Sequence, residues 1–426
     1  MKYQELAKLF HMDTSSSRDS NNKKEYDRRK SMDSTFTLEV FSGSKEFFIA
    51  VPREMSVLME TILRAERKCS SMMRSIPPLG RSALIRGLVL DEVVSTNAIE
   101  NINSTRKQIE EALESKKCGD VEFKRFKEIA FLYLGLAKDI DIATIPKSLE
   151  DIRSIYDVIM DGELDDDKKP DGDLFRKSGV EITAGGIKVI HSGIEPESKI
   201  ADGLTSMIEF ANRDDVPSLI SASVAHFLFE FIHPFYDGNG RTGRYLLALF
   251  LSETLSAATV LSLSRAISEN KSMYYSAFST AENPLNHGEL THFVFTMLEL
   301  IRIAQSGTMV RLQESIDKFN SIAAGCEKFF QEHELSDKEK DIVFALAQYD
   351  LFGMVKSLTW DDIAESIRLS KQMTRKHIQA LQDKKIIKTV SKRPLKVALS
   401  EESETSLGIS NFHNKESNSF SQQSTL

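Results

Sequence analysis

Cysteine, proline and glycine are scarce in this 426-residue chain, with 3, 10 and 20 copies. Cys69, Cys118 and Cys326 lie far apart with no CxxC pair, which disfavours zinc ribbons and disulfide frameworks and points to a reducing, cytoplasmic setting. So little proline and glycine excludes a fibrous or low-complexity protein. No run approaches the ~20 unbroken apolar residues of a membrane helix, and the start, MKYQELAKLFHMD, has no secretory hydrophobic region, so no membrane association is expected. The formal charge of −8 argues against wholesale coating of nucleic acid, so any phosphate chemistry must be local. What is present is 41% hydrophobic and 28% charged residues, enough to bury a core, in a length that suggests roughly three units.

Residues 11–35 are polar, rich in Ser, Asn and Lys, and predict a mobile leader over 1–35; the tail 400–426 reads the same way. Two β-rich runs around Ser-Gly-Ser in 36–51 predict a small hairpin, and helical periodicity takes over from Pro52 to Met160. The stretch 161–173 holds seven carboxylates and a Pro-Asp-Gly turn and predicts a solvated loop, followed by a hairpin over 180–194. Helical patterns resume near Ile200 and run to Gln331. The expected division is an N-terminal helical region over 36–160, a catalytic core over 161–300, a helical linker over 301–335, and a last ordered module over 336–399. In that module three helices precede a β-branched segment, IIKTVSKRPLKVAL, which predicts a winged helix-turn-helix.

The chemically informative run is 233–244, His-Pro-Phe-Tyr-Asp-Gly-Asn-Gly-Arg-Thr-Gly-Arg. It follows fourteen largely apolar residues, long for a strand and ordinary for a buried helix. Pro234 should end that helix and push His233 out of the right-handed region. Gly238 and Gly240 allow backbone amides to converge where a helix starting near Thr242 points its positive end, an anion nest. Arg241 and Arg244 flank it with planar, always-charged donors. Asp237 among these cations fits a divalent metal that bridges phosphates, and Asn239 can donate to a developing negative charge without adding one. Together they predict phosphoryl or nucleotidyl transfer. Gly238-x-Gly240-x-x-Gly243 also matches a dinucleotide fingerprint, but the preceding run is too long for the required strand and no acid closes a second one. A plain polar turn between helices would not require both arginines, the aspartate and the histidine.

This run resembles the signature of the Fic family, His-x-Phe-x-Asp/Glu-Gly-Asn-Gly-Arg-x-x-Arg, with every fixed position filled. The resemblance extends over roughly 80–300. It implies a mainly α fold, a Fic-type helical core with a β-hairpin flap, that transfers AMP from ATP to a protein Ser, Thr or Tyr hydroxyl. By that resemblance His233 is the general base, Phe235 anchors the loop and Asp237 holds Mg2+. The nucleotide lies on Gly238, Asn239, Gly240, Arg241, Thr242, Gly243 and Arg244; Tyr274 and Tyr275 resemble the family's adenine-side tyrosines, with a core aromatic pair as the competing reading. Lys188, Val189, Ile190 and His191 form the flap that docks the target. Thr96-Asn-Ala-Ile-Glu100-Asn101 resembles the family's inhibitory motif, in which Glu100 holds Arg244 away from the ATP γ-phosphate and in some relatives assists AMP removal.

Local physics adds to that motif. Thr96 and Glu100 share a helix face, Asn101 suits a left-handed terminator, and Thr105-x-x-Gln108 reads as a capping box. Glu100 therefore sits at a helix C-terminus, where the macrodipole disfavours an anion by about 0.3–1 kcal/mol, so a cationic partner is expected. In the last module, residues 368–396 carry ten lysines and arginines against Asp383 alone. Lys371, Gln372 and Arg375 project from the start of the third helix as DNA contacts, with a protein-interaction module as the competing reading. The expected partners are a target protein, the chain itself through self-modification, DNA, and a second copy in a homodimer. The alternative function is a DNA-binding regulator with a low-turnover, nucleotide-sensing Fic domain.

Overall fold

The computed structural model describes residues 3–114, 121–137, 144–184, 188–352, 357–393 and 395–410, and it is mainly α. The helices are α1 (Leu6–Met12), α2 (Arg18–Lys30), α3 (Arg53–Ser75), α4 (Pro78–Ile99), α5 (Arg106–Glu114), α6 (Val121–Ala137), α7 (Leu149–Ile159), α8 (Glu197–Ala211) and α9 (Ser218–Ile232). They continue with α10 (Asn239–Leu251), α11 (Ala257–Val260), α12 (Leu263–Glu269), α13 (Lys271–Glu282), α14 (Thr291–Glu332), α15 (Asp337–Phe352), α16 (Trp360–Ser366), α17 (Lys371–Asp383) and α18 (Glu401–Ser406). Two antiparallel hairpins, β1 (Thr35–Val40) with β2 (Lys45–Ala50) and β3 (Glu181–Ala184) with β4 (Lys188–Ser192), match the expected positions. The chain divides into two units: Met1–Cys69 with Leu88–Thr308, and Ser70–Gly87 with Met309–Leu426.

The first unit is built on α9. Its sequence, SLISASVAHFLFEFI, is apolar on every side, and a helix of that kind must be surrounded. Leu219 through Phe229, Phe231 and Ile232 are all buried, with α8 and α10 packed alongside. α14 reaches the length and mean hydropathy of a membrane span without an unbroken apolar run. Its Phe293, Val294, Met297, Leu298 and Ile301 are buried inside this unit.

The expected mobile leader is instead ordered. α1 and α2 form a helical hairpin in which Asn22 Nδ2 donates to the Leu6 carbonyl at 3.0 Å. Asn286 Oδ1 accepts from the Ala7 amide at 2.7 Å, and Arg29 pairs with Glu289 at 2.9 Å with both side chains buried. Composition misled because this segment is held by polar side chains satisfied inside the fold, a use of Asn and Arg that hydrophobicity does not register.

In the second unit α15, α16 and α17 pack against a three-stranded sheet with order β5-β7-β6, where β5 is Leu358–Thr359, β6 Ile387–Lys392 and β7 Leu395–Leu399. Ile342, Leu346, Ile363, Ile378, Leu381, Val397 and Leu399 are buried at its core. The expected polar tail begins with α18, and Leu407 and Ile409 are buried beyond it; residues 411–426 lie outside the described residues.

Candidate active site

The site is made where α9 stops. His233 takes a left-handed conformation, φ 53° and ψ 63°, and its amide still closes the helix on the Phe229 carbonyl at 2.9 Å. Leaving the right-handed region is what the following proline demands. The ring Nδ1 lies 3.3 Å from the Glu230 carbonyl, an atom that can only accept, so the neutral ring carries its proton on Nδ1 and its lone pair on Nε2. Burial pushes the His233 pKa down to about 4, so the ring is neutral near pH 7.

Two residues absent from the sequence expectations hold this corner. Arg176 is fully buried and donates to the carbonyls of His233 (2.8 Å), Ser178 (2.6 Å) and Ile194 (2.8 Å), tying the base of the β3–β4 hairpin to the end of α9. Glu230 has a buried Oε1 with no hydrogen-bond partner, and desolvation pushes its carboxyl up to about 8 against the pull of Arg244. A signal for Glu230 existed, because it is the lone charge in the fourteen-residue apolar run. Arg176 offered none.

Phe235 anchors the loop as expected: it is fully buried and stacks on Tyr156 with ring centroids 3.5 Å apart. Gly238 adopts φ 79°, and a Cβ there would also strike the Met160 thioether. α10 starts at Asn239, three residues before the expected Thr242, because Gly238 supplies the turn. The amides of Asn239, Gly240 and Arg241 are therefore the free first turn.

Several expected contacts are relocated by the same packing. The Asn239 carboxamide, expected to face a phosphate, is buried and clips the loop: Oδ1 accepts from the Phe235 amide at 3.0 Å and Nδ2 donates to its carbonyl at 2.8 Å. Only its backbone remains for a ligand. Thr242 is fully buried. Gly243 faces α9, its carbonyl accepting from His226 Nδ1 at 3.1 Å. Tyr274 is a core residue whose hydroxyl donates to His226 Nε2 at 2.7 Å, whereas Tyr275 is 48% exposed. His191 turns inward to Glu282 (2.9 Å) and the Phe231 carbonyl (2.7 Å). Burial opposes its charged ring, yet those partners hold its pKa above the ordinary value. The backbones of Lys188, Val189 and Ile190 lie in β4; their side chains are outside the described residues.

Both signature arginines are buried and both are held by glutamates. Arg244 Nη2 donates to Glu100 Oε1 at 2.8 Å, while its Nε and Nη2 reach Thr96 Oγ1 (2.8 Å) and the Thr96 carbonyl (3.1 Å). Asn101 has the expected left-handed backbone, φ 59°, and Thr105 with Gln108 forms the expected capping box. Arg241 pairs with Glu163, and its Nη2 lies 3.0 Å from Met160 Sδ. Glu163 belongs to the acidic stretch expected to be wholly solvated. The stretch is a loop, but this one carboxylate is folded inward. From the same loop Lys168 Nζ reaches Asp237 Oδ2 at 3.2 Å.

Residues 146–251 match the Fic/DOC family model, so this segment carries a Fic/DOC family domain. Two curated relatives named protein adenylyltransferase fic-1 align over short stretches. The Caenorhabditis briggsae protein is 30% identical over 98 residues, 22% of this chain and 18% of its own length. The Caenorhabditis elegans protein is 29% identical over 104 residues, 24% and 18%. The chain thus spans under a fifth of these relatives. Among solved structures, a Fic family protein from Desulfovibrio desulfuricans is similar over 82% of this chain and 97% of its own, at 19% identity and TM-score 0.49.

Proposed function

We propose that the first unit is a protein adenylyltransferase restrained by Glu100. A target Ser, Thr or Tyr hydroxyl attacks the α-phosphorus of ATP; the new O–P bond forms as the bond to the β-phosphate oxygen breaks and pyrophosphate leaves. The hydroxyl proton passes to His233 Nε2. The observation that carries this reading is the state of His233: a neutral imidazole, protonated on Nδ1, fixed six residues before a glycine-opened helix N-terminus that bears two arginines. The free amides of residues 239–241 suit the α-phosphate, and Arg241 and Arg244 suit the outer phosphates.

Asp237 fits Mg2+. Its half-exposed carboxylate already holds one cation, Lys168, and Mg2+ typically takes one or two carboxylates while keeping waters and phosphate oxygens. Bound there, the ion would neutralise phosphate charge. Glu100 supports restraint because it occupies the guanidinium of Arg244 and lies against Gly240.

Incubation with Mg-ATP labelled at the α-phosphate tests this. Wild type should label itself weakly, and Glu100→Gly about tenfold or more, equivalent to ~1.4 kcal/mol. His233→Ala should lose about 10²–10⁴-fold, the usual contribution of a general base. Equal labelling by wild type and Glu100→Gly would refute restraint. In a parallel incubation with γ-labelled ATP, transfer of that label alone would make the enzyme a kinase instead.

A further inference from the structure

We propose that the exposed face of α17 together with the β6–β7 hairpin is a docking surface for double-stranded DNA. The inference is independent of the nucleotide site. Packing fixes which face of α17 is offered: Thr374, Ile378 and Leu381 are buried, which leaves Gln372, Arg375, Lys376 and Gln379 exposed at helical spacing. Met373 is 42% exposed beside them. The Arg375 guanidinium lies over the Trp360 ring at 5.5 Å, a contact that uses its face and leaves its edge donors free. Lys371 is held by Asp361 at 2.8 Å, but both partners are largely exposed, so a phosphate can replace the carboxylate.

The hairpin extends this face. Gln382 Nε2 donates to Thr389 Oγ1 at 2.8 Å, fixing β6 against the helix, and Lys392 and Arg393 stand exposed at the hairpin tip. Neither strand contains a carboxylate, and α17 has only Asp383, which accepts from Gln379 Nε2 at 3.0 Å. Acidic side chains on neighbouring elements belong to α15 (Glu339, paired with Lys384 at 3.1 Å), α16 (Asp361, Asp362 and Glu365) and α18 (Glu401, paired with Lys388 at 3.3 Å, with Glu402 and Glu404).

The chemistry favours duplex DNA over the alternatives. A helix with side chains is about 10–12 Å across and enters a major groove about 12 Å wide. The deep, narrow major groove of duplex RNA excludes it. A protein partner would call for an apolar centre to the patch, and among the described residues the exposed large apolar side chains here are Met373 and Val390. Arg375 and Gln372 carry the donors that read guanine and adenine edges, while Lys376, Lys392 and Arg393 suit phosphates.

Fluorescence anisotropy of the full chain with a mixed-sequence duplex of about 30 base pairs, from about 50 to 200 mM salt, tests the proposal. Wild type should bind with a salt-dependent affinity. Arg375→Ala/Lys376→Ala and Lys392→Ala/Arg393→Ala should each weaken binding about fivefold or more and flatten the salt slope by about one per lost phosphate contact. Lys23→Ala/Lys24→Ala, an equal charge loss on α2, should change neither. All six positions are exposed, so unchanged thermal melting shows that the variants fold. Absence of salt-sensitive duplex binding by wild type, an equal loss in the α2 variant, or binding confined to single-stranded RNA would each overturn the proposal.

Discussion

Arg241 and Arg244 stand one turn apart on one helix, each with a glutamate on its guanidinium, yet the two pairs differ in kind. Arg241 and Glu163 are both 3% exposed. Arg244 is 2% exposed, but its partner Glu100 is 35% exposed. Arg244 also keeps two contacts to Thr96 and has Glu230 as an electrostatic neighbour. Breaking a fully buried pair strands a charge with no water to receive it. Withdrawing a glutamate that already touches solvent leaves the arginine with other partners. One pair is therefore placed like part of the fold, and the other like the releasable latch that the proposed restraint requires. Two adjacent arginines in a signature carry no sign of this difference, which comes from where their partners arrive: one from an inward-folded loop, one from a helix end.

The largest effect follows directly. Glu163→Gln should destabilise the first unit by about 3–5 kcal/mol, because it leaves Arg241 buried without its counter-charge. Glu100→Gln should cost only about 1.5 kcal/mol, the scale of one hydrogen bond to a charged group. Urea unfolding of the two variants compares them, and equal midpoints would remove the distinction. Glu163 makes nucleotide binding the sharper question. If ATP phosphates replace its carboxylate, saturating Mg-ATP should recover more stability in Glu163→Gln than in wild type.

The sequence carried the site better than it carried the site's surroundings. His233, Phe235, Gly238 and the two arginines lie within twelve residues, so local rules on proline, glycine and helix ends were enough to place them. Glu100 was legible because a carboxylate at a helix C-terminus asks for a cation. The side chains of Asn239 and Tyr274, expected at a ligand, instead satisfy the Phe235 backbone and His226, a demand of the core that residue type alone does not show, while Thr242 is simply buried. Glu163 and Arg176 act across long sequence separations, and nothing in their neighbourhoods marks one loop carboxylate or one arginine as buried. The α1–α2 hairpin was missed similarly, its anchors Asn22 and Arg29 being indistinguishable by type from solvated residues.

An intermediate effect concerns the second carboxyl near Arg244. The Glu230 pKa is raised to about 8 by burial, so the folded state holds a proton that the unfolded chain releases near the ordinary carboxyl value. Between those two values the folded state binds more protons, and its stability must fall as pH rises. Glu230→Gln removes the titration while keeping the neutral shape. Thermal melts at pH 5 and pH 8 should show a smaller decline for the variant, by a difference on the order of 1–3 kcal/mol, the cost of a buried unpartnered group. In Glu100→Gln the decline should move to lower pH, because the Glu100 charge that helps keep Glu230 protonated is gone while Arg244 remains. An unmoved window would mean that Arg244 has no second carboxyl to turn to, and the latch would then resemble the Arg241 pair after all.

The smallest effect separates two of the ion pairs that tether one loop. Glu163 enters the core, whereas Lys168 meets Asp237 with the side chains 47% and 46% exposed. Exposed pairs of this kind contribute between zero and about 1 kcal/mol and are screened by salt. Lys168→Ala should therefore leave the melting midpoint nearly unchanged, and any difference should vanish at high salt, while the Glu163→Gln deficit persists there. The variant also frees the carboxylate proposed above to hold Mg2+. Its apparent affinity for Mg-ATP should rise by up to about fivefold, the most that ~1 kcal/mol can supply. An unchanged affinity would show that Lys168 leaves Asp237 at no measurable cost when Mg-ATP is added.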